Sequence, residues 1–130
     1  MYLDTDIILA LTKREDWLKE HVQLSQLQPA RTSVFTVIEA QLVMEREYSR
    51  QDALQILPMI QKMNIQLWPF DERILRKSQE LRQEYPRLNI FDAVHVAFAL
   101  IHDETLIGTD SVFSTIANLK RKDPRERGRD

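Results

Sequence analysis

Apolar residues along the chain form short runs in some places and helical repeats in others. The runs at 2–3 and 105–108 are short, as buried strands are, whereas residues 90–102 repeat apolar positions every three to four residues. Pro86 ends the helix before this repeat, and Asn89 is suited to cap it. The same criteria predict strands at 2–3, 30–33, 65–70 and 105–108 and helical segments at 7–12, 17–27, 34–48, 51–63, 72–85, 90–102 and 111–116.

The order of these segments indicates the fold class. Strands separated by helical segments are typical of right-handed crossovers, which build a parallel sheet with helices on both faces. The chain has only two glycines, Gly108 and Gly128, which argues against an all-β fold with many tight turns. A length of 130 residues suits one domain. We therefore expect an α/β protein with three layers, α/β/α, around a central parallel sheet.

Basic residues are concentrated at the carboxyl end of the sequence. Residues 120–130 contain six basic and three acidic side chains, so this segment carries +3 and the rest of the chain −5, for a net charge of −2. A basic segment on an acidic body is typical of proteins that bind a polyanion, although a solvated chain end has the same composition. We accordingly divide the chain into a single domain at 1–119 and a basic tail at 120–130.

Composition also bears on the cellular compartment. The chain lacks cysteine, its apolar runs are far shorter than the roughly 20 residues that cross a bilayer, and core-like residues follow Met1 directly. Without cysteine no disulfide can form. We expect a cytoplasmic protein with no membrane partner.

Four acidic residues stand beside apolar core sequence at corresponding places in the predicted fold. Asp4 directly follows the first strand, and Asp110 follows the last one. Glu39 lies early in the helix after the second strand, and Asp92 lies in the first turn of the helix at 90–102. Because the carboxyl ends of parallel strands and the first turns of the following helices meet at one edge of the sheet, we expect these carboxylates to converge.

Each of these acids has a structural explanation when it is considered alone. The helix dipole favours Asp92 in a first turn, and Asp4 and Asp110 are suited to cap the turns that follow them. Together, clustered carboxylates repel one another and have raised pKa values unless a divalent cation neutralises them. Oxygen ligands without cysteine or paired histidines favour Mg²⁺ or Mn²⁺ over zinc, and such a site suits the hydrolysis of phosphodiester bonds.

Four segments of the sequence, LDTDIIL, TVIEAQLV, IFDAVHVAFAL and IGTDSVF, occur in an order and spacing that resembles a PIN-domain ribonuclease of the VapC-like toxin type. The resemblance covers nearly the whole chain. It implies a PIN-like nuclease domain at 1–119 and a metal-dependent endoribonuclease that hydrolyses RNA with Mg²⁺ or Mn²⁺. The residues that it implies as catalytic metal ligands are Asp4, Glu39, Asp92 and Asp110.

The resemblance also implies supporting residues and partners. Thr109 matches the polar position that precedes the last acid and is expected to hold that acid or a water. Asp6 departs from the pattern, because many relatives carry asparagine or another small polar residue there, and we assign it a helix-capping or supporting role. Toxins of this family commonly form homodimers and are inhibited by a cognate antitoxin, so the expected partners are an RNA substrate, a second copy of the chain and an antitoxin.

Two further structural expectations concern the edges of the domain. The segments 17–27 and 51–63 carry more apolar residues than a thin three-layer domain needs, so we expect some of them to form a dimer face. The last strand of a PIN-like sheet must come from ANLKRK, at 117–122, or be missing. His95 follows Asp92 by one helical turn and could approach the site, but we interpret it as a packed or hydrogen-bonded structural histidine. Trp17 and Trp68 are interpreted as core or interface residues.

Two other functions are consistent with parts of the sequence. A non-catalytic RNA-binding or protein-binding module could use the same fold, and the loss of an acid would favour it, but all four acids are present. The pair Asp4 and Asp6 also resembles the start of a haloacid dehalogenase-type phosphatase. That enzyme needs a later lysine and a paired-acid motif, whereas Asp110 is single and has no lysine beside it.

Overall fold

A computed structural model describes residues 1–126, so residues 127–130 of the predicted tail lie outside the described part. Five strands form one sheet in the order β3-β2-β1-β4-β5, and all neighbouring strands are parallel. The fold class is therefore α/β with a central parallel sheet, as predicted. The strands are β1 (Tyr2–Leu3), β2 (Arg31–Ser33), β3 (Gln66–Trp68), β4 (Leu106–Ile107) and β5 (Arg121–Lys122).

Helices connect these strands and cover both faces of the sheet. Successive residues of a strand point to opposite faces, so Leu3 and Ile107 pack into one apolar cluster while Tyr2 and Leu106 pack into the other. The first cluster contains residues of helices α1 to α4, and the second contains residues of α5 and α6. The helices are α1 (Thr5–Thr12), α2 (Val34–Glu47), α3 (Arg50–Leu54), α4 (Ile56–Lys62), α5 (Glu72–Glu84) and α6 (Ile90–His102), with 3-10 helices at Lys19–His21, Leu24–Gln26 and Ser111–Thr115.

The register of the central strands positions the start of α1 beside the end of β4. Leu3 pairs with Ile107, and the Asp4 amide donates to the carbonyl oxygen of Ile107 at 3.2 Å. Asp4 and Gly108 therefore lie side by side at the carboxyl end of the sheet.

The prediction of one helical segment at 17–27 is wrong. Two short 3-10 helices occupy this segment, and Val22 and Gln23 between them are extended, with no side chain capping either helix. Leu18, Val22 and Leu27 are nevertheless buried in the first cluster. The chain therefore runs along the surface of the core without forming one helix, and it buries an apolar side chain every few residues. This burial produces the helix-like spacing.

The segment predicted at 51–63 is helical but consists of two helices, α3 and α4, that meet at Gln55. Pro58 explains the break. Proline lacks an N–H and its ring clashes with the carbonyl four residues earlier, so a helix cannot continue from Leu54 through Pro58. Pro58 is tolerated as the third residue of α4, because N–H groups in a first turn have no partner within the helix.

We expected apolar residues of segments 17–27 and 51–63 to form a dimer face. Most of them instead pack in or against the first apolar cluster of this chain. Leu18, Val22, Leu27 and Ile60 are buried. Trp17 and Leu54 remain on the surface, with 62% and 59% of their area exposed. Further exposed apolar side chains lie on α2, at Val34, Ile38 and Leu42.

The last strand comes from the segment ANLKRK, which was one of the two alternatives. Strand β5 pairs with β4, so the boundary expected at 119/120 does not separate the sheet from a tail. Asp123 is buried directly after β5 and forms ion pairs with Arg121 and Arg125. These two arginines of the predicted basic tail are therefore already paired with a carboxylate.

Among residues 1–126, no helix is both long and apolar enough to cross a membrane.

Candidate metal centre

Asp4 is buried at the carboxyl end of β1, with 5% of its area exposed. It is the N-cap of α1, and its Oδ1 accepts a hydrogen bond from the Ile7 amide at 3.2 Å. Its Oδ2 lies against Gly108, where an added Cβ would be only 2.6 Å away. Because glycine has no Cβ, the Asp4 carboxylate can occupy the space beside residue 108.

Asp92 and Asp110 face each other from α6 and the turn after β4. Asp110 caps the 3-10 helix at Ser111–Thr115 by accepting from the Val112 amide at 2.9 Å. Asp92 lies in the first turn of α6 and accepts from the Asn89 side-chain amide at 3.2 Å. Burial raises the pKa of Asp92 to about 7, with further contributions from the negative charge of Asp110 and from a hydrogen bond between the two carboxyl groups.

The remaining acids belong to the same group electrostatically. Burial raises the pKa of Asp4 well above its ordinary value, and the charges of Asp6, Asp92 and Glu39 raise it further. Partial desolvation and the charge of Glu39 also raise the pKa of Asp6. Thr109, expected beside Asp110, has its hydroxyl 3.5 Å from an Asp6 carboxylate oxygen. The structure therefore brings all six sequence-predicted site residues to one end of the sheet.

No lysine or arginine of the described chain forms an ion pair with Asp4, Asp6, Asp92 or Asp110. Within residues 1–126, no three of the acidic or histidine side chains already surround a single point as metal ligands would. The cluster is thus a set of neighbouring carboxylates that no lysine or arginine of the described residues neutralises by an ion pair, and their burial and mutual repulsion raise the pKa values of Asp4, Asp6 and Asp92.

Glu39 differs from the other acids because a histidine side chain is among its hydrogen-bond partners. His95, which is buried in α6, places Nε2 3.0 Å from Glu39 Oε1 and 3.1 Å from the Thr5 hydroxyl. The Thr5 hydroxyl also donates to Glu39. Although partial burial by itself would raise the pKa of Glu39, the hydrogen bonds and the charge of His95 hold it below its ordinary value.

The tautomer of His95 follows from these partners. A carboxylate only accepts, so Nε2 carries the hydrogen that faces Glu39. In the neutral ring Nδ1 then accepts from the Tyr2 hydroxyl, which is 2.9 Å away. Burial raises the pKa of Tyr2, so its phenol stays protonated, and its oxygen lies 2.9 Å from Ser33 Oγ. The sequence interpretation of His95 as structural omitted this link to Glu39, and it did not identify Thr5.

A family model described as the PIN domain matches residues 1–119. The chain belongs to the PIN domain family. The resemblance stated from the four sequence segments is therefore confirmed at the level of the family. No curated protein matches the sequence.

Solved structures share the fold of this PIN domain. VapC20 from Mycobacterium tuberculosis, described as a toxin that cleaves the sarcin-ricin loop, is 14% identical over 92% of this chain and 96% of its own, with a TM-score of 0.76. A toxin-antitoxin complex from Klebsiella pneumoniae is 23% identical, over 95% and 96%, with a TM-score of 0.69. VapBC2 from Rickettsia felis, bound to a promoter DNA fragment, is 19% identical, over 93% and 96%, with a TM-score of 0.72.

The contacts of His95 in this PIN domain predict how its variants behave. His95→Ala leaves the Glu39 carboxylate and the Tyr2 hydroxyl without this partner and opens a cavity, so we expect a loss of roughly 2 to 4 kcal/mol in the free energy of unfolding. His95→Gln retains an N–H near Glu39 and should lose less. Urea denaturation checks both values, and an alanine variant as stable as the unmodified protein would show that the network does not stabilise the fold.

Proposed function

We propose that the protein is a divalent-metal-dependent endoribonuclease. In this proposal Asp4, Glu39, Asp92 and Asp110 hold Mg²⁺ or Mn²⁺, directly or through water. The observation that carries it is the convergence of carboxylates that form no ion pair with a lysine or arginine of residues 1–126, at the carboxyl end of the sheet, in a chain of the PIN domain family. A divalent cation supplies Lewis-acid chemistry that activates water and stabilises the negative charge developing on a phosphate.

The donor set fits such a cation. All of its members are carboxylate oxygens, which Mg²⁺ and Mn²⁺ prefer. Asp4 is held by its cap on α1, and Glu39 is held by His95 and Thr5 in the ionised form that a ligand needs. Asp92, whose pKa burial and the charge of Asp110 raise to about 7, must lose its proton before it can bind a cation as a carboxylate. Asp6, in the first turn of α1, and Thr109, after β4, would support these ligands from beside them, and the Thr109 hydroxyl lies 3.5 Å from an Asp6 carboxylate oxygen.

The raised pKa values predict a link between pH, metal and stability. The pKa of Asp92 is about 7 in the folded protein and near 3.8 in the unfolded chain, so the unfolded chain loses this proton first as pH rises. Stability from this group is therefore present below about pH 4 and is lost as pH rises towards 7. In EDTA we expect the unmodified protein, relative to Asp92→Asn, to be less stable at pH 8 than at pH 5.

Thermal denaturation of both proteins at the two pH values checks this prediction. The comparison with Asp92→Asn is needed because His102, whose pKa is lowered chiefly by burial, changes stability with pH in the opposite direction in both proteins. Mn²⁺ at pH 8 should raise the melting temperature of the unmodified protein more than that of the variant. A difference between the proteins that does not vary with pH would contradict the assignment of Asp92.

We further infer that the substrate is RNA and that the protein acts as the toxin of a toxin-antitoxin pair in the cytoplasm, with a homodimer as the working assembly. Support comes from the shared fold with a toxin that cleaves the sarcin-ricin loop and with structures of toxin-antitoxin complexes. The antitoxin would then be the partner that restrains the nuclease.

The proposal is tested by incubating the purified protein with a panel of structured and unpaired RNAs in Mg²⁺, in Mn²⁺ and in EDTA. We expect cleavage of at least one RNA with either metal, and no cleavage in EDTA or by Asp92→Asn. Cleavage that persists in EDTA would contradict the role of the metal. If the unmodified protein binds Mn²⁺ but cuts no RNA, the non-catalytic binding module becomes the better account.

A further inference from the structure

A cavity of about 390 Å³ opens beside the acidic cluster. Asp92 and Asp110 contribute to its lining, together with Arg87, Asn89 and Ser111. The cavity therefore shares Asp92 and Asp110 with the proposed metal centre. The side chains of Arg87, Asn89 and Ser111 add a guanidinium, an amide and a hydroxyl group to its lining. Its volume lies at the lower end of the range for ligand pockets, which suits one nucleotide of an unpaired strand, because a duplex keeps its bases stacked inside.

Arg87 is the unusual member of this lining. It is exposed, and no hydrogen bond or ion pair holds it within residues 1–126, although two carboxylates line the same cavity. Arg125, which also reaches the site, is committed instead: it pairs with Asp123 and donates to the carbonyl oxygen of Thr109 at 3.1 Å. Arg87 is thus a guanidinium beside the site that remains available to a ligand.

The loop that carries Arg87 is fixed at both sides. Leu88 is buried in the second apolar cluster, and its amide donates to the Tyr85 carbonyl oxygen at 3.0 Å. Asn89 caps α6 by accepting from the Asp92 amide at 2.8 Å. The backbone on which Arg87 stands is consequently tied to the same helix turn that positions Asp92.

These observations point to a ligand that carries negative charge and reaches the acids. The carboxylates repel an RNA strand until a metal ion binds among them. A positively charged side chain beside them is therefore needed to hold the RNA backbone. Arginine suits this task because its planar guanidinium donates two parallel hydrogen bonds to a phosphate.

We propose that Arg87 binds the phosphate next to the scissile one in an unpaired stretch of RNA, with the adjoining nucleotide in the cavity between Arg87 and Asp110. This subsite rests on the proposed function, since it assigns the form of the RNA that the same centre cuts. It makes Arg87 a substrate-binding residue that acts on affinity rather than on the chemical step.

Binding is measured with a short unstructured RNA and protein carrying Asp4→Asn, which should not consume the RNA. In this background Arg87→Ala should weaken binding roughly tenfold, as expected for the loss of hydrogen bonds to a charged group. It should also reduce the slope of log affinity against log salt concentration by about 0.7, the value for one phosphate contact on a single strand. Arg87→Lys should retain the slope.

Arg82→Ala is the matched control, because Arg82 is exposed and lines a different cleft, with Gln79 and Pro86. It should change neither the affinity nor the slope. An Arg87→Ala protein with unchanged affinity and slope would overturn the subsite, and so would an equal effect of Arg82→Ala, which would indicate only general attraction by positive charge.

Cleavage assays separate this proposal from the proposed function. In the otherwise unmodified protein, Arg87→Ala should raise KM roughly tenfold and leave kcat nearly unchanged. A fall in kcat at constant KM would overturn the subsite while the nuclease assignment stands. If the unmodified protein cuts no RNA, the proposed function fails, and the affinity and salt slope of the Asp4→Asn background decide on the subsite independently.

Discussion

Asp4→Asn is expected to reduce RNA cleavage at least about 100-fold while the protein stays folded. Changes to groups that only orient metal ligands already cost about 10- to 100-fold in metal affinity or activity, so the loss of a ligand should cost no less. Asparagine keeps the oxygen that caps α1, because aspartate and asparagine are comparable N-cap residues. It also removes a buried carboxyl whose pKa is raised, so stability at pH 8 should not fall.

Asp71→Asn is the matched control for this experiment. Asp71 caps α5 in the same way that Asp4 caps α1, by accepting from the Ile74 amide at 3.1 Å, but it is exposed. Steady-state cleavage and thermal denaturation of the two variants compare an identical chemical change at two caps. An Asp4→Asn protein that retains a third or more of the activity would show that this carboxylate is a cap and nothing more.

Gly108→Ala should have the second largest effect, on both stability and activity. Its Cβ would stand 2.6 Å from Asp4 Oδ2 and 2.8 Å from a ring carbon of Phe113. Phe113 is buried and Asp4 is held at the cap, so neither can move away without disturbing its surroundings. We expect a loss of about 1 to 3 kcal/mol in the free energy of unfolding, typical of overpacking, and loss of most cleavage activity.

The part of this effect that acts through Asp4 is isolated by repeating the change in an Asp4→Ser background. Serine preserves a capping oxygen but shortens the side chain, so the contact with the new methyl group is relieved. Gly108→Ala should then cost less stability than it does in the unmodified protein, as measured by urea denaturation. An identical cost in both backgrounds would attribute the strain to Phe113 alone.

Much of the candidate site could be predicted because its members occupy places that the strand and helix order determines. Asp4 and Asp110 follow strands that pair directly, so their convergence depends only on a parallel sheet. Asp92 stands in the first turn of α6, and because the last turn of this helix leads into the start of β4, the first turn lies towards the same edge of the sheet. Their assignment as metal ligands remains a prediction.

The network around Glu39 could not be predicted, because its members are far apart along the chain. Tyr2 and His95 are separated by 93 positions and Glu39 and His95 by 56, and no local pattern connects them. The sequence places His95 one helical turn after Asp92 and among apolar residues of α6. Those surroundings describe the ring packing against Tyr2 and Phe35, but they do not reveal which atom faces Glu39.

The segment at 17–27 shows the limit of periodicity as a signal. Its apolar residues are spaced as in an amphipathic helix, yet Val22 and Gln23 are extended. The spacing of apolar residues indicates which side chains are buried, but it does not determine the backbone conformation. A segment that runs along the core in a non-helical conformation can bury side chains at the same positions. Strand β5 is similarly short and charged, so its pairing with β4 decides its conformation rather than its own propensity.

The central claim is that the converging carboxylates form a divalent metal site, and titration calorimetry of Mn²⁺ into the metal-free protein at pH 8 tests it most directly. We expect saturable binding that Asp4→Asn weakens at least about tenfold and Asp71→Asn leaves unchanged. Absence of binding in the unmodified protein, or equal affinity in all three proteins, would contradict the account.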